Sequence, residues 1–298
     1  MQETDLFLNY LTVERRFSKH TIISYQTDLS QFAKFIKDTY ELSDIQEVSH
    51  LYIRSWVVSL MENGIDPKSV NRKITALRSF YKYLIKTGVL EKNPMLKIQA
   101  PKVSKKLPEF LDEKKMDALF DNMSNDGKQY EDVRDFLILD FFYRTGVRLS
   151  ELIELKISNV NLRNLTITVT GKRNKVRQIP ITIGFKQAIE KYLFLRNEFI
   201  NQLDLDCHYF FTDNNGNKMY PVFVYRIVKA NIKMVSTGKK KSPHILRHTF
   251  ATTMLNNGAD INAIKELLGH SNLSATQVYT HNTIEKLKEV YKQAFPKA

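Results

Sequence analysis

Apolar residues fall at three-or-four spacing through most of the chain, which predicts a mainly helical protein. Leu6, Tyr10, Leu11 and Val13 begin one stripe, and Ile22, Tyr25, Leu29, Phe32, Phe35 and Ile36 form a second, with Ser18 placed as its N-cap. Ile53, Val57 and Leu60 make a third stripe that stops near Asn63-Gly64. Val70, Ile74, Leu77, Tyr81 and Leu84 make a fourth, closed by Gly88. The other face of that helix carries Arg72, Lys73, Arg78 and Lys82. Further on, 112–123, 132–143 and 150–155 read as helices. The period then switches: Leu165-Thr-Ile-Thr-Val-Thr170 and Val176-Arg-Gln-Ile-Pro-Ile181 alternate around Gly171-Lys-Arg-Asn174, which predicts a β-hairpin. Helices follow to the end, and no internal repeat or low-complexity tract interrupts them.

Between 93 and 108 the periodicity lapses. Three prolines and Lys102-Val-Ser-Lys-Lys106 disfavour a helix there, so a linker over 101–107 is expected between domains at 1–100 and 108–298. The alternative is an ordinary loop inside one domain.

Charge narrows the function. Against 45 Lys+Arg stand 32 Asp+Glu, a net charge of +13 over 298 residues. Residues 1–100 hold 14 basic and 11 acidic side chains and the remainder 31 and 21, so most of the excess lies in the second part. An excess of this size points to nucleic acid, because phosphates attract Lys and Arg through counterion release. The single cysteine, Cys207, excludes an intrachain disulfide framework and a cysteine-rich zinc site. Residues 1–16 lack the apolar core of a signal peptide, and no apolar run reaches membrane-span length, so a cytoplasmic protein without membrane contact is expected. Nucleotide-binding glycine loops are absent. His244 and His248 have the spacing of a helical zinc pair, but Ile245 stands where a metalloprotease has Glu and no third ligand is evident.

Four segments gain meaning together: Thr145-Gly-Val-Arg148-Leu-Ser-Glu151-Leu, Gly171-Lys172, His244-Ile-Leu-Arg247-His-Thr-Phe, and Leu268-Gly-His270 with Tyr279-Thr-His281 nine residues on. In order and spacing they resemble the catalytic set of the tyrosine recombinases, the phage-integrase family. Lys19-His-Thr-Ile-Ile-Ser-Tyr25 and Leu77-Arg-Ser-Phe-Tyr-Lys-Tyr-Leu are similar to the amino-terminal core-binding domain of its Xer branch. The resemblance spans essentially the whole chain. It implies a two-domain DNA clamp: an all-helical SAM-like core-binding domain, then a mainly α catalytic domain with a small β-hairpin.

The resemblance also assigns roles. Tyr279 is the nucleophile, and Arg148 and Arg247 grip the scissile phosphate. His244 handles a proton, His270 donates to the phosphate, and Lys172 protonates the departing 5′ oxygen. Cutting and rejoining DNA without ATP requires that the bond energy be kept, and a phosphotyrosyl ester keeps it. Arginine suits the clamp because its planar fork grips two oxygens and stays charged. Arg173 departs from the glycine frequent at its position in the Xer branch, and Lys175 lies close enough to compete with Lys172. Glu151 is either a buttress for a guanidinium or an ordinary surface acid. Lys239, Lys240 and Lys241 sit just before His244 and, with the basic face of the fourth helix, are expected to contact phosphates. The helix near Ile284–Tyr291 either packs on its own core or, as in the family, docks on a neighbouring protomer.

The reaction implied is site-specific recombination through a 3′-phosphotyrosyl intermediate, with no metal or nucleotide cofactor. The implied partners are a double-stranded target site and a homo- or hetero-tetramer, with a second recombinase and a DNA translocase where the task is resolving chromosome or plasmid dimers. A mobile-element integrase, a type IB topoisomerase-like nicking enzyme and a catalytically silent DNA-binding regulator are the rival readings.

Overall fold

The computed structural model describes residues 2–104, 109–123, 129–171, 174–238, 240–269 and 281–294. The chain divides into two compact units, Met1–Lys106 and Leu107–Ala298.

The first unit is built on helices α1 (Gln2–Val13), α2 (Lys19–Tyr40), α3 (His50–Glu62) and α4 (Pro67–Lys86). Their starts are set by side chains that accept orphan backbone N–H groups. Ser18 takes Thr21 N, Ser49 takes Leu51 N, and Asp66 takes Lys68 N ahead of Pro67. The core joins Phe7, Leu11, Leu29, Phe32, Ile36, Trp56, Ile74, Leu77 and Phe80. Met95 and Ile98 belong to the same core, and Asn71 Nδ2 donates to Pro101 O at 3.0 Å, so the chain stays tied to this unit up to Pro101.

One stripe falls differently from the sequence pattern. In α1, Phe7 and Leu11 face inward while Leu6 and Val13 are 52% and 64% exposed. Phe7 sits four residues before Leu11, and its ring lies 5.3 Å from Phe80 and 5.4 Å from Tyr83. That aromatic cluster, not the count of aliphatics, sets the helix rotation.

The second unit surrounds α6 (Tyr130–Thr145), which is buried on every side from Phe136 to Phe142. Helices α5 (Glu113–Asn122), α8 (Ile183–Gln202), α9 (Pro221–Val235) and α10 (Pro243–Asn256) complete the body of the core, and short α7 (Leu149–Ile153) and α11 (Ile261–Leu268) carry its edge. Asp140, inside the apolar run, survives burial because Arg144 Nε donates to it at 2.6 Å one turn later.

The predicted hairpin is present as β2 (Thr166–Thr170) and β3 (Val176–Pro180), antiparallel with Thr170 opposite Val176. A two-residue strand, β1 (Val160–Asn161), adds to β2 and makes a three-stranded sheet. Two residues are too few to leave an alternating pattern, so β1 was not legible beforehand. Ile167, Val169, Arg177 and Ile179 form the buried face of β2 and β3.

The last helix, α12 (His281–Ala294), packs on its own chain. Leu287, Tyr291 and Ala294 are buried in the second unit's core, and Tyr291 Oη donates to Arg144 O at 2.9 Å. No helix among the described residues is long and apolar enough to cross a membrane.

Candidate active site

Three arginines from three separate elements converge on the C-terminal end of α11. Helix ends leave carbonyls without intrahelical partners and carry the negative end of the helix dipole, so they attract cations. Each of three consecutive carbonyls takes a different guanidinium. Leu267 O accepts from Arg177 Nε at 2.6 Å, Leu268 O from Arg247 Nη2 at 2.6 Å, and Gly269 O from Arg148 Nη2 at 3.1 Å. Gly269 closes α11 in the left-handed region, φ 64°, which exposes these carbonyls.

The same arginines have second anchors. Arg247 Nη1 donates to Gly146 O, the left-handed C-cap of α6. A Cβ at Gly146 would overlap the Phe250 ring and lie 2.9 Å from Leu268 Cδ2. Only glycine therefore lets α6 end here with its carbonyl turned to Arg247.

Glu151 holds the other two. Oε1 accepts from Arg148 Nη1 at 2.7 Å and Arg177 Nη1 at 2.9 Å, and Oε2 from Arg148 N at 2.8 Å and Arg177 Nη2 at 2.8 Å. The bond to Arg148 N is the N3-to-N-cap arm of a capping box, so the start of α7 aims this carboxylate. Glu151 is therefore a buried buttress, not a surface acid. Burial opposes its ionisation, but the hydrogen bonds and charge of Arg177, joined by Arg148, win and hold the carboxyl down at about 2.

Among the described residues, three guanidiniums thus lie around one carboxylate that bonds two of them. Arg247 registers the imbalance: burial, then the charges of Arg148 and Arg177, pull it down to about 10 despite Glu151. Such a cluster carries more positive than negative charge and is electrostatically suited to bind an anion. Arg148 keeps 32% of its side chain exposed, which leaves an edge open to a ligand.

The hairpin reaches this place. Gly171 N donates to Lys175 O at 2.7 Å, closing the turn, and a Cβ at Gly171 would lie 3.2 Å from Glu151 Oε1 and 3.7 Å from Arg148 Nη1. His244 and His248 are exposed on α10. His248 is pushed below its ordinary value first by partial burial, then by His244, Arg247 and Lys240, so these four share one electrostatic neighbourhood. Lys240 is exposed and Lys241 half-buried beside it, and Lys240 N donates to Glu109 at 3.3 Å.

Of the expected site residues, the structure gathers Arg148 and Arg247 at the end of α11, and His244 stands exposed on α10 one turn before Arg247. Lys172, His270, Tyr279 and Lys239 lie outside the described residues, but Gly171 and Gly269, the neighbours preceding Lys172 and His270, both border the arginine cluster. Sequence reasoning missed Arg177. Its signal was there: in a strand whose Ile179 and Ile181 face inward, period two places residue 177 inward as well, and a buried arginine needs an acid.

The basic face of α4 needs correction. Lys73 is buried, with Nζ 3.0 Å from Asp28 and also bonded to Gln31, so it serves the first unit's interior and does not belong to an open phosphate-binding face. Arg72 pairs with the same Asp28 and with Ser24 but stays half exposed, and Arg78 donates to Ile98 O at 2.7 Å. Lys82 remains solvent-facing. The reason is Asp28, a fully buried acid on α2 that must be paired.

Against this geometry, comparisons with known proteins agree on one family. The phage integrase family matches residues 109–286, and the N-terminal SAM-like domain of phage integrases matches 4–88. The tyrosine recombinase XerC of Pediococcus pentosaceus is 38% identical, covering 100% of this chain and 99% of its own. That of Chlorobaculum parvum is 37% identical, covering 98% and 94%. Among solved structures, XerH bound to a palindromic difH substrate in a post-cleavage complex shares the fold at TM-score 0.72 and 21% identity, covering 97% of this chain and 84% of its own. A lambda integrase dimer bound to a COC′ core site does so at 0.70 and 15%, covering 93% and 98%. With both of its domains matched in order and curated relatives alike along the full length, this chain belongs to the phage integrase family of tyrosine recombinases.

Proposed function

We propose that the protein is a site-specific DNA recombinase of the Xer type, acting in the cytoplasm on a double-stranded target site as a recombinase tetramer. The observation that carries this reading is the cluster of three arginines around Glu151 and the end of α11, whose positive charge exceeds that of the one carboxylate beside it.

Chemistry follows from the cluster. As the Tyr279 oxygen attacks a scissile phosphate its phenolic proton passes to His244, the P–O5′ bond breaks, and the freed 5′ oxygen takes a proton from Lys172. A 3′-phosphotyrosyl ester remains. The 5′ hydroxyl of a partner strand then attacks that ester and returns the proton and the phenol. Charge on the non-bridging oxygens rises in each transition state. Arg148 and Arg247, fixed in place beforehand, stabilise it without reorganising, at about 3–4 kcal/mol for each donor. His244 and His270 complete the donor set. Neither step calls for a metal or nucleotide cofactor.

Lys82, Lys240, Lys241 and the exposed part of Arg72 are our candidates for contacts with backbone phosphates, with Lys239 next to Lys240 in sequence. Resolution of chromosome or plasmid dimers fits the XerC relatives, and a second recombinase and a DNA translocase are the partners such a task would use.

The test is covalent capture. A target duplex enriched from genomic fragments by binding, then nicked next to the cleavage position, traps the adduct because the short strand diffuses away. Wild-type protein should give a denaturant-stable protein–DNA band, and Tyr279→Phe should bind equally and give none. No adduct with any bound fragment would favour the silent regulator, and an undiminished adduct in Tyr279→Phe would assign the nucleophile elsewhere.

A further inference from the structure

We propose that Arg177, on β3, is a positioning residue that sets the phosphate clamp before DNA arrives; the inference rests on the recombinase reading. Arg177 is buried, and all three of its guanidinium nitrogens are engaged by acceptors on two other elements. Nη1 and Nη2 take both oxygens of Glu151 on α7, while Nε takes Leu267 O at the end of α11. Gly269 lies against the same group: a Cβ there would be 3.2 Å from Arg177 Nη1 and 3.3 Å from its Cδ.

One planar fork therefore ties β3, α7 and α11 together. These are the elements that carry the hairpin turn at Gly171, the Arg148–Glu151 pair, and the carbonyls holding Arg148 and Arg247. Arg177 is buried with Gly269 against its guanidinium, so it acts through the others. Without it, Glu151 would be free to turn toward Arg148 alone, and Leu267 O would lose its partner. Arg148 rests on Glu151, and Arg247 rests on Leu268 O, the carbonyl next to Leu267 O at the same helix end. A guanidinium displaced by about 1 Å costs on the order of 100-fold in rate. Lysine cannot replace it, since one ammonium cannot span a carboxylate and a carbonyl in the fork's geometry.

The test compares two substrates on the full-length protein. Both are the duplex that wild type cleaves, one natural and one carrying a methylphosphonate at the scissile position, where a neutral methyl replaces a charged oxygen. Arg177→Lys and Arg177→Met are assayed in single turnover at saturating DNA, with the unfolding transition followed in parallel. A displaced clamp fails at offsetting phosphate charge, so the variants should lose about 100-fold on the natural phosphate and less than about tenfold on the methylphosphonate, with affinity nearly unchanged. In addition, Arg177→Met should cost little further rate in a Glu151→Gln background, because the two act as one unit. Equal losses on both substrates would reduce Arg177 to a folding role and overturn the proposal, as would a variant that cleaves the natural phosphate at the wild-type rate. Wild-type protein that cleaves neither substrate would instead overturn the recombinase reading, and the positioning role with it.

Discussion

Glu151→Gln changes one atom, yet it removes the sole carboxylate among the described groups that hold three guanidiniums. The amide keeps the shape, but its oxygen accepts where two carboxylate oxygens accepted, and its NH2 is turned against a donor. Two routes give the size of the loss. The carboxyl is held at about 2 against an ordinary 4.5, which corresponds to at most about 3 kcal/mol of stabilisation. Breaking a buried pair by removing one partner typically costs about 3–5 kcal/mol. A loss near 3 kcal/mol is therefore expected in urea titrations followed by far-ultraviolet circular dichroism.

The protein contains an internal control. Its single tryptophan, Trp56, lies in the first unit's core, so fluorescence should report that unit and stay in place. Acid provides a second check. A folded carboxyl lowered to about 2 contributes stability that is full above 4.5 and fades as pH falls toward 2. The gap between wild type and Glu151→Gln should hold from neutral pH down to about 4.5 and shrink below it. Added sulfate should narrow it at neutral pH by supplying an anion. A loss under about 0.5 kcal/mol, or a gap that widens in acid, would refute the account of a carboxylate restraining surplus positive charge.

Three further outcomes follow from the packing. Gly146→Ala places a methyl against Phe250 and strains a φ of 57°, so it should lower thermal stability by several degrees and slow covalent capture by displacing the Gly146 carbonyl from Arg247. Asp28→Ala leaves Lys73 buried without its acid and should cost about 3–5 kcal/mol in the Trp56 fluorescence transition, whereas Arg72→Ala should cost under about 1 kcal/mol because Arg72 is half exposed. Removing residues after 284 uncovers the seat of Leu287, Tyr291 and Ala294 and should lower the stability of the isolated protein by several kcal/mol; Tyr291→Phe, which loses the bond to Arg144 O and keeps the ring, should cost about 1 kcal/mol. Unchanged stability of the truncated monomer would mean that the helix does not dock on its own core in solution.

The residue pattern alone determined the helices, the hairpin, the basic character and the set of reactive side chains, because each rests on local spacing or on residue identity. Period two placed β2 and β3, and Ser18 and Gly88 marked helix ends that propensity dictates whatever the context. Tertiary structure decided which charges are available. Lys73 lay on the basic face by spacing, but a buried Asp28 from another helix drew it inward. Glu151 read equally well as a surface acid until β3 brought Arg177 against it. Leu6 and Val13 yielded the inner face of α1 to Phe7, whose ring had partners more than seventy residues away. The convergence of three arginines on three successive carbonyls was invisible in one dimension for the same reason. A cation's partner is set by proximity in space, and no local periodicity records which helix end will lie beside it.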